Sequence, residues 1–452
     1  MNSICTLIGR SALIALLACA AFAQDSASAP TFTLLYTSPQ TAVDGAPTTL
    51  IETSVGTFYG LSTAWNNVFG ASIFTMDSSG NVRNVYTAAP FFTAFTLAQA
   101  VNGELYEDGG FASGSRNYQY IASNLTGQVQ SYLTSPWIPG PWSLLSPAGL
   151  IYNIVSPTSG SGFVFAQIDL HGVITPLHRF TAADGFPYGG SSLVQAHDGN
   201  IYSIAFKSLS GISTGWLYRM TPQGQYTKVV SLPVAGAGGL AAPIVAASDG
   251  NIYGAFTRGG AAQTGMIYKV AADGTYQKLL DFPATGMTQP AFLVEGSDGN
   301  LYGSTDGGPS YLFQVNLKTL KLTQLHKLQP NEGLCSCSLV QGMDGKLYGV
   351  SPLGGLYGFG TIFSLDVSLP KPKPFVSLFS PATGATGQPI LLWGRNLLGA
   401  SSVSFNGVAA TTITVNSTQA VYVDVPAGAT SGPITITTPN GTFTTTTSFQ
   451  VP

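Results

Sequence analysis

Four histidines are the side chains of this 452-residue chain best suited to proton transfer or metal binding, and their spacing argues against both roles. His171 falls in a turn where other copies of a repeat carry Ser79, Gln223 or Asp273, and His197 precedes an Asp-Gly turn at the place of Ser248, Ser297 and Met343. His178 and His326 hold similar places in Leu-His-Arg and Leu-His-Lys. A catalytic or ligating histidine is usually a singular residue with its own orienting partner. These four follow the repeat, so they read as surface or strand-packing residues. Asp198, Asp249, Asp298 and Asp344 recur because tight turns favour aspartate, and the turns are too short to supply the several oxygens that calcium needs. Cys335 and Cys337, at i and i+2 of a strand, share a face with α-carbons about 6.5 Å apart, near the limit for a disulfide. Two buried thiols are the plain reading and a strained disulfide the alternative. A metal site there would need two further ligands that are absent nearby. No phosphate loop, zincin motif or nucleophile elbow occurs. The expectation is no catalytic residue, no metal and no cofactor.

The elements that would position a site come from an internal repeat. Its clearest copies run from Ser192-Leu193-Val194 through Asp198-Gly199-Asn200-Ile201-Tyr202, from Ile244-Val245 through Asp249-Gly250-Asn251-Ile252-Tyr253-Gly254, from Phe292-Leu293-Val294 through Asp298-Gly299-Asn300-Leu301-Tyr302-Gly303, and from Ser338-Leu339-Val340 through Asp344-Gly345-Lys346-Leu347-Tyr348-Gly349. Weaker copies centre on Tyr59, Tyr106 and Tyr152, so marker tyrosines lie 46 to 51 residues apart. That period suits a four-stranded propeller blade. The copy at Leu193 predicts strand a over 193–196, an Asp-Gly hairpin turn, strand b over 201–205, strand c over 216–220, a turn at Pro222-Gln223-Gly224, and strand d over 226–231. The marker tyrosines are expected to pack between blades.

The ends of the repeat region complement each other. Phe32-Thr33-Leu34-Leu35-Tyr36 matches the strand d pattern of Tyr226–Val230 and Tyr276–Leu280, whereas the last copy stops after its strand c, Thr361–Leu365. The first strand can complete the last blade and remove two open sheet edges. The predicted fold is therefore all-β: a propeller of about seven blades over residues 31–369, closed by the N-terminal strand. An open solenoid is the other architecture, and it would not require such complementary ends.

In this fold the a–b and c–d turns share one face. The longer, variable b–c and d–a connections share the other, where binding residues tend to sit. The candidates for ligand contact there are Trp65, Asn66 and Asn67; Glu107, Asp108, Arg116 and Tyr118; Trp137 and Trp142; Tyr188; Lys207; Arg258; Asp306 and Tyr311. Aromatic rings, amides and a few charges suit a carbohydrate or a protein loop. The plain alternative is that they only pack the loops.

The units with Asp-Gly-Asn-Leu-Tyr-Gly and the later Gly354-Gly355…Gly360-Thr361-Ile362-Phe363 resemble the tandem repeats of bacterial GloVer-containing, choice-of-anchor proteins. The resemblance covers roughly residues 31–369, strongest after Ser191. It implies a secreted or cell-surface protein and adds little about mechanism. After Pro370-Lys371-Pro372-Lys373-Pro374, read as a stiff extended spacer, a new pattern begins. Ile390-Leu391-Leu392-Trp393-Gly394-Arg395-Asn396-Leu397, Val403-Ser404-Phe405-Asn406-Gly407 and Val425-Pro426-Ala427-Gly428 are similar to an IPT/TIG domain, an immunoglobulin-like β-sandwich over 375–452. The resemblance implies a spacer or an interaction module.

Arg10, the short apolar run 11–18 and Ala21-Phe22-Ala23 read as a signal peptide over 1–23, cleaved before Gln24. Leu16-Leu17-Ala18-Cys19 resembles a lipobox and leaves a lipid anchor at Cys19 as the alternative. No later segment is long and apolar enough for a membrane helix. Charged residues make up 8% of the chain and the net charge is −3, with no basic patch for nucleic acid. The expected protein is an extracytoplasmic, non-enzymatic binding or scaffold protein whose partner is a carbohydrate or protein at the cell surface. One alternative is a propeller-type lyase or glycan-processing enzyme using Glu107, Asp108, Arg116 and Asp306. The other is a structural or adhesion component.

Overall fold

The computed structural model describes residues 29–39, 45–63, 71–87, 92–100, 103–111, 118–123, 129–133, 137–146, 150–157, 162–169, 171–187, 192–207, 215–233, 243–306, 308–334 and 337–452; within these, the side chains of 92–96, 107–111, 118–123, 129–133 and 137–142 lie outside the description. Among the described residues there is no helix, and the strands form nine antiparallel sheets. Seven lie before residue 370: sheet one over 46–87, two over 92–133, three over 137–179, four over 186–232, five over 245–281, six over 290–327, and seven over 338–366. The seventh supplies only three strands of its own. Its fourth is Thr31–Thr37, which pairs antiparallel with Thr361–Asp366 through Thr31↔Asp366, Phe32↔Leu365 and Leu34↔Phe363.

A size rule fixes how strand b meets strand c within a sheet. In sheets one, five, six and seven the residue after the marker tyrosine is a glycine that faces a large ring on strand c, whereas in sheet four Ser203 stands opposite Tyr218. A Cβ on Gly60 would stand 2.2 Å from the Phe74 ring, one on Gly254 2.3 Å from Tyr268, and one on Gly349 2.2 Å from Phe363. Sheet three reverses the sizes, pairing buried Asn153 with Ala166. The glycine of the Leu-Tyr-Gly motif is thus a packing requirement of the interior.

Neighbouring sheets pack face to face, and the marker tyrosines sit in the seams. Tyr59 joins Leu61 and Ile73 against Leu97 and Leu105 of sheet two. Tyr106 packs with Leu145 and Ile151, and Tyr152 with Leu193 and Ile201. Tyr202 borders the cluster linking sheets four and five, Tyr253 meets Leu293 and Leu301, and Tyr302 meets Leu339 and Leu347. Tyr348, Val350 and Ile362 of sheet seven pack on Leu50, Phe58 and Phe74 of sheet one.

Beyond residue 374 lie the last two sheets, ordered 375–380, 389–395, 420–424, 413–415 and 408–409, 402–405, 432–438, 441–449. Ile390, Leu392 and Val421 of one face Val403, Phe405 and Ile436 of the other in a shared core. Residues 370–374 have no regular secondary structure and are held through their carbonyls. The Pro370 carbonyl accepts from Ser297 Oγ at 2.5 Å and from Gln341 Nε2 at 3.3 Å. The Pro372 and Lys373 carbonyls accept from Asn440 and Asn396 at 3.2 and 3.0 Å. Proline has no N–H to offer, but its carbonyl remains an obligatory acceptor; Ser297 and Gln341 of sheets six and seven and Asn396 and Asn440 of the C-terminal unit supply the donors.

Candidate functional site

The structure treats the sequence-nominated residues unevenly. Trp65, Asn66, Asn67, Arg116 and Tyr188 lie outside the described residues. Glu107 and Asp108 are in the strand Leu105–Phe111, Tyr118 opens Tyr118–Ser123, and Trp137 and Trp142 are in Trp137–Leu145. These five therefore belong to strands rather than connections, and their side chains lie outside the description. Tyr311 needs a plain correction. It is the first residue of Tyr311–Asn316, is 7% exposed, and pairs with Lys327. Lys207, Arg258 and Asp306 are exposed at the b–c connections; the Asp306 N–H bonds the Gln289 carbonyl at 2.8 Å.

The recurring ionisable groups serve the scaffold. Asp198 Oδ1 accepts from the Asn200 N–H at 3.0 Å, and Oδ2 accepts from Asn200 Nδ2 and the Tyr202 hydroxyl, both at 2.8 Å. Asp249 with Asn251 and Tyr253, and Asp298 with Asn300 and Tyr302, repeat the arrangement; Asp344 with Lys346 and Tyr348 repeats its backbone and tyrosine bonds. Desolvation works to raise the carboxyls of Asp198 and Asp249, but the hydrogen bonds from asparagine and tyrosine outweigh it and hold both below the usual value. Tyr202 is pushed up to about 12, first by desolvation and then by Asp198. His178 stacks on Tyr226 and lies 3.4 Å from Asp184; His326 stacks on Phe32 and lies 2.8 Å from Glu332.

A second pattern, absent from the sequence reading, links one sheet to the next. The residue seven before each marker tyrosine ends strand a, and in several units it reaches back to the preceding a–b turn. Glu295 accepts from the Ser248 N–H at 2.9 Å and also from the Ser248 hydroxyl. Gln341 accepts from the Ser297 N–H, and Glu52 from the Met343 N–H, at 2.8 and 2.7 Å. Burial is the dominant influence on Glu52 and raises its carboxyl despite hydrogen bonds from Gly56 and Met343. In sheet five this position is Ala246, which has no group to reach the turn of His197.

The gap left by Ala246 opens where the C-terminal unit meets the turns. Phe375 stacks on His197, with centroids 5.0 Å apart. Arg395 Nη1 lies 3.2 Å from Glu295 Oε2, whose side chain is 7% exposed. Asn440 Nδ2 donates to the Met343 carbonyl at 2.8 Å, and Leu391, Trp393 and Ala420 pack with Ala100, Tyr106 and Leu145. The resulting cleft, about 160 Å³, is lined by Gln195, His197, Ala246, Phe375, Trp393, Arg395 and Gln419, among others. Desolvation first, then the Arg395 charge, lower the His197 imidazole below its usual value. Sequence reading missed this cleft because its members are far apart in the chain. The one local signal was alanine at Ala246, where Glu52, Glu295 and Gln341 stand elsewhere.

Small antiparallel sheets, packed in sequence with their turns on one side, define a propeller-like all-β protein. Solved structures agree. A streptogramin B lyase superposes with a TM-score of 0.53 at 14% identity, over 75% of this chain and 98% of that one. An oligogalacturonate lyase in complex with manganese gives 0.51 at 12%, over 75% and 96%, and a puromycin hydrolase 0.50 at 15%, over 80% and 61%. At such identities the likeness concerns the fold alone. No curated protein matches the chain in sequence. A family model matches residues 188–415, and the chain belongs to the Gloeobacter/Verrucomicrobia repeat family.

Proposed function

We propose that this is an exported, non-enzymatic binding or scaffold protein. In this reading a seven-bladed propeller, closed by its N-terminal strand, carries an immunoglobulin-like unit of the IPT/TIG kind on its turn face. It presents the long-loop face to a carbohydrate or protein ligand. The observation that carries the reading is the seat of the C-terminal unit. The Arg395–Glu295 pair, the Phe375–His197 stack and the Asn440–Met343 bond all lie at a–b turns, so the opposite face is the one left open. The exposed Lys207, Arg258 and Asp306 belong to that face, and variable loops on a rigid scaffold are where recognition residues concentrate. Supporting it further, the repeated aspartates bond their own turns.

The alternative is an enzyme of the propeller lyase or hydrolase kind. The chemistry printed for the similar structures motivates it, at identities that carry fold only. A glycan-array screen of the protein from Gln24 onward, beside a Lys207→Ala/Arg258→Ala/Asp306→Ala variant, separates the readings. Binding without turnover that the variant loses supports the binding protein. Conversion of a bound glycan overturns it in favour of the enzyme, and no binding to any glycan removes carbohydrate as the ligand.

A further inference from the structure

We propose that the cleft between the a–b turns and the C-terminal unit is a binding site for one carboxylate-bearing monosaccharide residue, of the hexuronic acid type. It lies on the face opposite the long loops, so it stands or falls separately from the ligand proposed there.

Three observations carry the assignment. The first is the missing tie at Ala246. Where Glu52, Glu295 and Gln341 each cap the N–H of a neighbouring turn, Ala246 leaves the His197 N–H without an acceptor among the described residues. The cleft is thus the space of an omitted side chain, with a polar donor left at its wall. The second is size and shape. About 160 Å³ is close to the roughly 150 Å³ cavity that accommodates one benzene, which suits a single six-membered ring. Trp393 lines it, and an aromatic face takes up the apolar side of a ring; Phe375, also at its wall, is already stacked on His197 and faced by Arg395. The third is the balance of donors. The Trp393 indole N–H has no partner among the described residues, and Gln419 lines the cleft with an exposed carboxamide. Arg395 adds a guanidinium of which the structure engages Nη1 with Glu295. The carboxylates that act on His197 are Glu295, Asp249 and Asp198; Glu295 already accepts from Ser248 and Arg395, Asp198 and Asp249 accept from the asparagine and tyrosine of their own turns, and Gln195 Nε2 is bound to the Gly199 carbonyl. Donors in excess call for a ligand rich in acceptors, and a planar guanidinium is best matched by a carboxylate.

The test is a saturation-transfer NMR titration of the full chain with glucuronic acid, with glucose and acetate as separate arms. Glucuronic acid is expected to bind at least tenfold more tightly than either. Ala246→Gln places in the cleft the carboxamide that Gln341 presents elsewhere. It should weaken glucuronic acid binding more than tenfold without lowering the melting temperature. Gln419→Ala, at an exposed position, should weaken binding about threefold with the fold unchanged. No saturable binding by the wild-type chain overturns the proposal. So does binding that both variants retain in full, and so does acetate or glucose binding as tight as that of glucuronic acid.

Discussion

Replacing Glu295 tests whether the ties between sheets hold the protein together. Its carboxylate accepts from the Ser248 N–H and hydroxyl and faces Arg395 at 3.2 Å. In Glu295→Ala the exposed Ser248 N–H loses its acceptor, a loss of about 0.5–1.5 kcal/mol because water can take the acceptor's place. Arg395 loses its partner as well, but its side chain is 36% exposed, so solvent screening limits that part to about 1 kcal/mol or less. The expected total is about 2 kcal/mol. Glu295→Gln should cost only about 1 kcal/mol, because a carboxamide can accept the same bond, as Gln341 does from Ser297 at 2.8 Å. Urea unfolding followed by tryptophan fluorescence reads the order wild type, Gln, Ala. An alanine variant within about 0.5 kcal/mol of wild type, or a glutamine variant as weak as alanine, would refute the reasoning.

Other consequences are equally direct. Gly349→Val drives a side chain into the Phe363 ring, which stands 2.2 Å from an added Cβ. It should cost about 3 kcal/mol, with part restored by Phe363→Ala because the Asn153–Ala166 pair already reverses the sizes; denaturant midpoints of the single and double variants check this. Tyr302→Phe removes a hydroxyl that donates to Asp298 at 2.9 Å and accepts from Gln314 at 2.7 Å. A loss of about 1–2 kcal/mol is expected in the same assay. Asp198 and Asp249 have carboxyls held below their usual value, so their contribution is present above the unfolded pKa of about 3.9 and is lost as pH falls through the lower folded value. Melting temperature measured downward from pH 6 should fall in that acid window, and Asp198→Asn should flatten the fall.

Much of the repeat architecture was legible because its signals are local. Asp-Gly sets each hairpin turn within a few residues, and alternation marks the strands: the expected strands at 201–205, 216–220 and 226–231 are observed as Ile201–Phe206, Gly215–Met220 and Tyr226–Leu232. The pairing of Thr31–Thr37 with Thr361–Asp366 joins distant segments, yet it too was readable, because the first strand carries the strand d pattern that the last copy lacks. What stayed hidden depends on sizes and partners across the fold. Tyr311 looks like a loop residue until the strand beginning there places its ring inside. The glycine after the marker tyrosine gives no sign of its role in the sequence until it meets an aromatic ring on strand c. His197 looks like an idle turn residue until Phe375, far along the chain, stacks on it. The seat of the C-terminal unit could not be read at all, since Arg395 and Glu295 are 100 positions apart and belong to two different sequence patterns.

The central claim is that the C-terminal unit is seated on the turn face rather than tethered by a spacer. Small-angle X-ray scattering of the protein from Gln24 onward tests it most directly. A seated unit predicts a compact particle with a radius of gyration of about 22 Å and a single maximum in its distance distribution. A clearly larger radius with a second maximum would contradict it, and with it the reason for placing the ligand on the long-loop face.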